Sequence, residues 1–193
     1  SVVDEIDSQQ NCNFDNEEEL YFNAGPARIS QTHCNLLSYC RELGVPLQAL
    51  VNDNKGAFIH NSSAFGGVPV RAREVATAMR GNIAELLSKA INAGALDSDI
   101  SFSEQSAVLA VLRNYGDLNV SGLFSNSTRS GLQEDSGGIT AGLPKTSLNL
   151  DDFFFDTDVP NTQNFSEGIN QSATMMQPVG GMDKIAQAFA DEV

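Results

Sequence analysis

The sequence contains no tryptophan, only two histidines, and few basic residues. Its 11 Lys and Arg against 25 Asp and Glu give a formal net charge of −14 at pH 7. Nucleic acids and anionic membranes are bound through a basic face that releases counterions, so this balance argues against both as partners. The sequence also lacks a run of 18 apolar residues and therefore predicts no membrane span.

The few cysteines and histidines form no recognisable reactive or metal-binding pattern. Cys12, Cys34 and Cys40 are an odd number without a C-x-x-C pair, so we expect small apolar residues and neither a disulfide framework nor a zinc site. Two histidines without a supporting motif predict no Ser/His/Asp or Cys/His nucleophile. The G-x-G-x-x-G dinucleotide fingerprint and the P-loop are also absent. These enzyme classes are therefore unsupported by the sequence.

The stretch YFNAGPARISQTHCNLLSYCRELGVPL combines a turn, an arginine and a helix. Gly25-Pro26 predicts a tight turn, and Ser30 is the expected N-cap of the helix that follows. Gly44, followed by a proline two residues later, predicts where that helix ends. Arg28 lies between the turn and the helix, and its planar guanidinium suits a carboxylate or a phosphate. A solvated surface arginine is the alternative interpretation of Arg28.

Further along the chain, two strands and two longer helices are predicted. The strands, 47–51 and 57–60, are separated by a turn-rich run and are expected to form a hairpin. The first longer helix starts near residue 71 and ends at Gly94. Its expected buried residues are Val75, Met79, Ile83, Leu86, Leu87 and Ile91. Inside it, Gly81 predicts a close contact or a slight bend.

The second longer helix has a capping box at its start. Ser101 and Glu104 match the S-x-x-E pattern, and Gly116 is the predicted stop. Its expected buried face consists of Val108, Leu109, Val111, Leu112 and Tyr115. With 193 residues, the chain can form one domain or one and a half. The predicted fold class is α+β, predominantly helical.

Two motifs at opposite ends of the chain resemble the flavin amine oxidase family, and within it the L-amino-acid oxidases. The first is Gly25-Pro26-Ala27-Arg28-Ile29 with His33, followed by a helix that ends in Leu-Gly. The second is PVGGMDKIAQAF, where the family has an apolar residue, two glycines, often Met, and a helix. The two motifs occur in the family's order, which makes the pair more specific than either motif alone.

The resemblance implies an internal part of a two-domain FAD amine oxidase fold, without its N-terminal Rossmann βαβ unit. Residues 1–68 would belong to the substrate-binding domain and 69–165 to the helical domain. Residues 166–193 would form a linker and the GGM helix that returns to the FAD-binding domain. The dinucleotide motif of the family would lie outside this chain, so the fragment alone is expected to be inactive.

The resemblance also implies the site residues and the chemistry. Arg28 would bind the α-carboxylate of the substrate. The residues implied near the FAD are Gly25, Pro26, Ala27, Arg28, Gly180, Gly181 and Met182. FAD would remove a hydride from the α-carbon of an L-amino acid, and the products would be a 2-oxo acid, ammonia and hydrogen peroxide after reoxidation by oxygen. No catalytic side chain and no metal ligand is predicted.

Two alternatives stay open. The chain could act on amines that are not amino acids, as other FAD-dependent amine oxidases do, or it could be a non-catalytic helical interaction module. The oxidase interpretation predicts an apolar surface where the remaining FAD-domain segments of the same protein would pack. The interaction-module interpretation predicts a surface that is polar on every side. The sequence leaves open a homo-oligomer and the localisation, including a secreted or periplasmic protein whose signal has been removed.

Overall fold

The computed structural model describes residues 2–4, 9–11, 17, 20–23, 25–154, 159 and 163–192. They form a mixed α/β structure with helices and small antiparallel sheets. The chain divides into two compact units: unit 1 comprises Ser1–Asp53 and Ser166–Val193, and unit 2 comprises Asn54–Phe165. The assignment of segments to domains of an FAD oxidase stays a prediction. Among the described residues, the longest helices are too short or too polar to cross a membrane.

The elements in chain order are β1 (Val2–Asp4), β2 (Gln9–Asn11), β3 (Ile29–Ser30), α1 (Cys34–Glu42), β4 (Leu47–Leu50), β5 (Phe58–Ile59), β6 (Val70–Arg71), α2 (Ala72–Asn92), α3 (Phe102–Gly116), β7 (Leu132–Glu134), β8 (Leu143–Pro144), α4 (Asp151–Phe154), β9 (Met175–Pro178) and α5 (Asp183–Asp191). Short 3-10 turns occur at Phe65–Gly67, Thr128–Ser130 and Phe165–Glu167.

Unit 1 is organised around strand β9. This strand pairs antiparallel with β3 on one side and with β4 on the other, and Ile29 lies opposite Met176. The buried core of the unit combines Ile29 with Cys40 of α1, Val45, and Ile185 of α5. Burial raises the pKa of the Cys40 thiol, as expected for a small apolar residue. Cys34 is exposed, and Cys12 lies outside the described residues.

The predicted N-cap at Ser30 is wrong. Ser30 belongs to β3, where its backbone pairs with Met175 and its side chain is buried. Its hydroxyl accepts a hydrogen bond from the Thr32 N–H at 3.3 Å, which stabilises a turn ahead of α1. The helix begins at Cys34, and the N-cap residue His33 makes no side-chain capping bond. Gly44 has φ +68°, so the predicted end of the helix is confirmed.

The predicted hairpin between residues 47–51 and 57–60 is also wrong. Both strands exist, but β4 pairs with β9, and β5 pairs with β6. The turn between them is present, since Asn54 Oδ1 accepts a hydrogen bond from the Gly56 N–H at 2.9 Å. Turn residues therefore indicated a change of direction correctly, but the strand partners come from elsewhere in the sequence.

Unit 2 is built on the packing of α2 against α3. Gly94, with φ +76°, follows α2 as predicted, and the Ser101–Glu104 capping box at the start of α3 is confirmed. Asp117, not Gly116, is the left-handed residue after α3. The buried core consists of Ala64, Val75, Ala78, Ala84, Ile91, Leu112, Leu118, Phe124 and Val159.

Small residues form much of the buried face of α2, together with Val75 and Ile91, whose predicted burial is confirmed. A Cβ on Gly81 would lie 2.3 Å from Cδ2 of Phe124, which confirms the predicted close contact. By contrast, Ile83, Leu86 and Leu87 are 43%, 45% and 38% exposed, so their predicted burial is wrong. On α3, Leu112 is buried, whereas the predicted core residues Val111 and Tyr115 are exposed.

Glu85 connects α2 to the chain that follows α3. Its Oε2 accepts a hydrogen bond from the Phe124 N–H at 2.6 Å, and its Oε1 lies 2.5 Å from Lys89 Nζ. Burial acts to raise the pKa of the Glu85 carboxyl, but the bonds from Lys89 and Phe124 outweigh it, so the pKa lies below its ordinary value. The folded state therefore favours the ionised carboxylate.

Because the pKa of Glu85 is lowered by folding, we expect Glu85→Gln to destabilise unit 2 by about 1 kcal/mol at pH 7. The contribution is complete above the unfolded pKa and disappears as the pH falls through the lower folded pKa. The difference in unfolding free energy between the wild type and the variant should therefore vanish in acid. Urea titrations across this pH range measure it. Glu134→Gln removes the same charge from an exposed strand position and should show a smaller effect.

Candidate functional site

A cleft of about 380 Å³ lies in unit 1, beside strand β3. The first family-like motif forms one wall, and the segment that leads into β9 forms the other. The lining residues are Gly25, Pro26, Ala27, Arg28, Ser30, His33, Asn170, Gln171 and Met175. Four residues that the resemblance implies, Gly25 to Arg28, therefore share one cleft.

The β3–β9 pairing brings these distant parts of the sequence together. Ser30 and Met175 are direct partners across the ladder, and both are buried. Two side-chain hydrogen bonds join the same segments: Gln31 Nε2 to the Ala173 carbonyl and Thr32 Oγ1 to Asn170 Oδ1. A third comes from Asn52, after β4, whose Nδ2 donates to the Gln171 carbonyl. The walls of the cleft are thus fixed by backbone pairing and by side chains outside the family-like motif.

Arg28 is exposed at the cleft, where Asn52 orients it. Arg28 Nη1 donates to Asn52 Oδ1 at 3.2 Å, while Asn52 Nδ2 donates to the Gln171 carbonyl at 2.6 Å. One amide therefore connects the guanidinium to the opposite wall. A guanidinium presents five N–H donors in a planar fork, which allows it to bind a carboxylate through two parallel bonds.

Gln171 also lines this cleft. Its side-chain Oε1 is buried and has no hydrogen-bond partner among the described residues. A buried acceptor without a donor costs roughly 1–3 kcal/mol, so an N–H group of a ligand would satisfy a real deficit. Arg28 and Gln171 together match a ligand that carries a carboxylate and an N–H donor.

The second family-like motif follows the cleft residue Met175 closely in sequence, but its own residues do not line the cleft. Gly180 and Gly181 have φ +84° and +110°, values that glycine adopts readily. The Met182 N–H donates to Asn23 Oδ1 at 2.8 Å, and a Cβ on Gly181 would lie 3.2 Å from the Tyr21 ring. The backbone N–H of Met182 is therefore satisfied by the segment that precedes Gly25.

Sequence reasoning missed the polar residues of the second wall and also Asn52, which bonds to that wall. Asn52 belonged to a run read only as a turn, and Asn170 and Gln171 lay in a polar stretch without a motif. The signal that could have found them is the apolar run Met175–Met176 before Gln-Pro, which has the composition of a short buried strand. A strand there places the preceding polar residues at its N-terminal end, beside the neighbouring strands.

The described residues include no group of three or more His, Cys, Asp or Glu that could hold a metal ion. No protein-family model matches the chain.

Proposed function

We propose that this chain is part of an FAD-dependent L-amino-acid oxidase and that the cleft of unit 1 binds the substrate. The observation that carries the proposal is the position of Gly25 to Arg28: the motif that resembles the family lines a cleft together with Gln171, whose buried Oε1 has no hydrogen-bond partner among the described residues. An L-amino acid has the matching groups, a carboxylate for Arg28 and an amino group for Gln171.

The residues present also fit a flat ring beside the substrate. A Cβ on Gly25 would meet no atom within 4 Å, so the backbone there is open to close approach. Gly25, Pro26 and Ala27 would lie along the ring, and Gly180 to Met182 would support the segment that carries them. The two-electron oxidation is supplied by FAD when it is bound. The protein's part is to orient the α-carbon through Arg28 and Gln171.

Exposed apolar side chains support an incomplete assembly over a self-contained module. Ile83, Leu86 and Leu87 occupy consecutive turns of one helix and are each more than a third exposed. Such a group on a polar, acidic chain is typical of a surface that packs against more protein. In our proposal, the remaining FAD-domain segments of the same protein provide the rest of the cofactor site.

The test uses the full-length protein and a matched pair of substrates. The visible absorbance bands of bound flavin and the peroxide formed from L-leucine and from 3-methylbutylamine, its carboxylate-free counterpart, are measured together. Flavin bands with peroxide from L-leucine alone support an L-amino-acid oxidase, whereas peroxide mainly from the amine would assign the chain to amine oxidases. A folded protein that stays colourless with added FAD would overturn the proposal in favour of an interaction module.

A further inference from the structure

A second cleft, in unit 2, is lined by basic side chains. It has a volume of about 340 Å³ and is lined by Lys55, Arg73, Ala76, Thr77, Arg80 and Arg129. Four of the 11 Lys and Arg residues of the whole chain thus converge on one small cleft. None of the six lining residues is acidic, although the chain has 25 Asp and Glu. This concentration of positive charge differs sharply from the overall composition.

The fold holds two of these cations on one helix face. Arg73 and Arg80 are seven residues apart on α2, which places them two turns apart on the same side, with Thr77 between them. Arg73 Nε donates to the Lys55 carbonyl at 3.3 Å. The guanidinium of Arg80 lies over the Tyr115 ring, with 5.4 Å between Cζ and the ring centroid.

Arg129 is brought to the cleft by the end of α3. Its Nη1 and Nη2 donate to the carbonyls of Tyr115 and Asn114, both at 2.9 Å. These carbonyls belong to the last turn of the helix, where a cation is favourable. The two bonds use two of the five N–H groups of the guanidinium, and they hold its charge in place beside Arg80.

The three arginines are not neutralised within the part of the chain that the structure describes. The ion pairs found there join Lys89 to Glu85 and Lys145 to Glu74. None of the described carboxylates lies within ion-pair distance of Arg73, Arg80 or Arg129. Like charges held in one cleft repel one another, so an anion that enters relieves this repulsion as well as forming its own bonds.

We propose that this basic cleft binds the phosphate group of a small molecule. Planar guanidinium groups match the oxygens of phosphate, and several of them can bind one tetrahedral anion from different sides. The cleft has the size of a small-molecule site, and the net charge of −14 opposes long polyanions. The proposal concerns unit 2 and does not depend on the oxidase function.

The test measures the binding of inorganic phosphate to the full-length protein. Binding is monitored by the line broadening of the ³¹P NMR signal, at a constant ionic strength set with NaCl. We expect saturable broadening that Arg80→Gln weakens about tenfold and that Arg73→Gln with Arg80→Gln abolishes. Within the part of the chain that the structure describes, the Arg80 side chain loses a ring contact, so its variant should fold, as circular dichroism would verify. Arg113→Gln removes the same charge from an exposed site on α3 outside the cleft and should bind as the wild type does.

Three results would overturn the proposal. The first is no saturable broadening at millimolar phosphate. The second is an equal loss of binding in Arg113→Gln and Arg80→Gln, which would indicate a general effect of charge. The third is binding of heparin without binding of phosphate, which would assign the basic residues to a macromolecular surface.

Discussion

Replacing Arg28 with alanine should lower kcat/KM of the full-length protein for an L-amino acid by about 10- to 100-fold. In the proposed complex its guanidinium binds the substrate carboxylate, and a hydrogen bond to a charged group contributes about 1.5–3 kcal/mol. The carboxylate is bound in the ground state as well as in the transition state, so KM should change more than kcat. Steady-state peroxide formation from L-leucine measures both parameters.

Two further variants separate the carboxylate contact from a general loss of charge. Arg28→Lys keeps the charge but not the planar fork, so its kcat/KM should lie between those of the wild type and Arg28→Ala. Arg41 is an exposed arginine on α1 of the same unit, where its Nη2 donates to Ser38 Oγ. Arg41→Ala should leave the kinetics unchanged. Equal kcat/KM in the wild type and Arg28→Ala would show that Arg28 does not bind the substrate.

The local features of the fold followed from the sequence because short-range physics determines them. The Ser101–Glu104 capping box and the Gly94 helix end both formed as predicted. A capping hydroxyl reaches only the next turn, and a left-handed residue needs only its own backbone freedom. Neither depends on what packs against the helix.

Long-range pairing was not predictable in the same way. Strand β9 pairs with both β3 and β4. Nothing in the residues near Ser30 indicates that their strand partner lies beyond residue 170. Ser30 was therefore predicted to be a helix N-cap, a position at which serine is strongly preferred. Pairing with β9 instead makes it a buried strand residue. Register depends on the complementary strand, and that information lies outside the local window.

The candidate site shows the same division. Arg28 was identified because a family-like motif surrounds it. Gln171, which lines the cleft, and Asn52, which bonds to both Arg28 and Gln171, have no motif and are brought there by the β9 sheet. On α2, three of the six apolar side chains expected inside are exposed, whereas the small residues Gly81 and Ala84 are buried. Periodicity identifies apolar stripes, and it does not tell whether a neighbour approaches closely enough to require small residues.

Gly116 is one such small residue, and its replacement should have a large effect on stability. A Cβ there would lie 2.4 Å from the Cβ of Ala84 on α2. Both atoms are attached directly to helical backbone and cannot rotate away, so the helices must separate. We expect Gly116→Ala to destabilise unit 2 by roughly 1–3 kcal/mol in urea unfolding, despite the higher helix propensity of alanine. Gly137→Ala, at a site where a Cβ meets nothing within 4 Å, should change stability little.

The reverse exchange tests whether this one contact is responsible. Ala84→Gly alone should destabilise the protein because it removes a buried methyl group and weakens α2. Combined with Gly116→Ala, it moves the methyl group across the same helix contact and removes the clash. The double variant should therefore be more stable than the sum of the single changes predicts, by roughly 1–3 kcal/mol. If the effects of the two single changes on the unfolding free energy simply add, the helices adjust to Gly116→Ala without contacting Ala84. The contact between these two residues would then not explain the loss of stability.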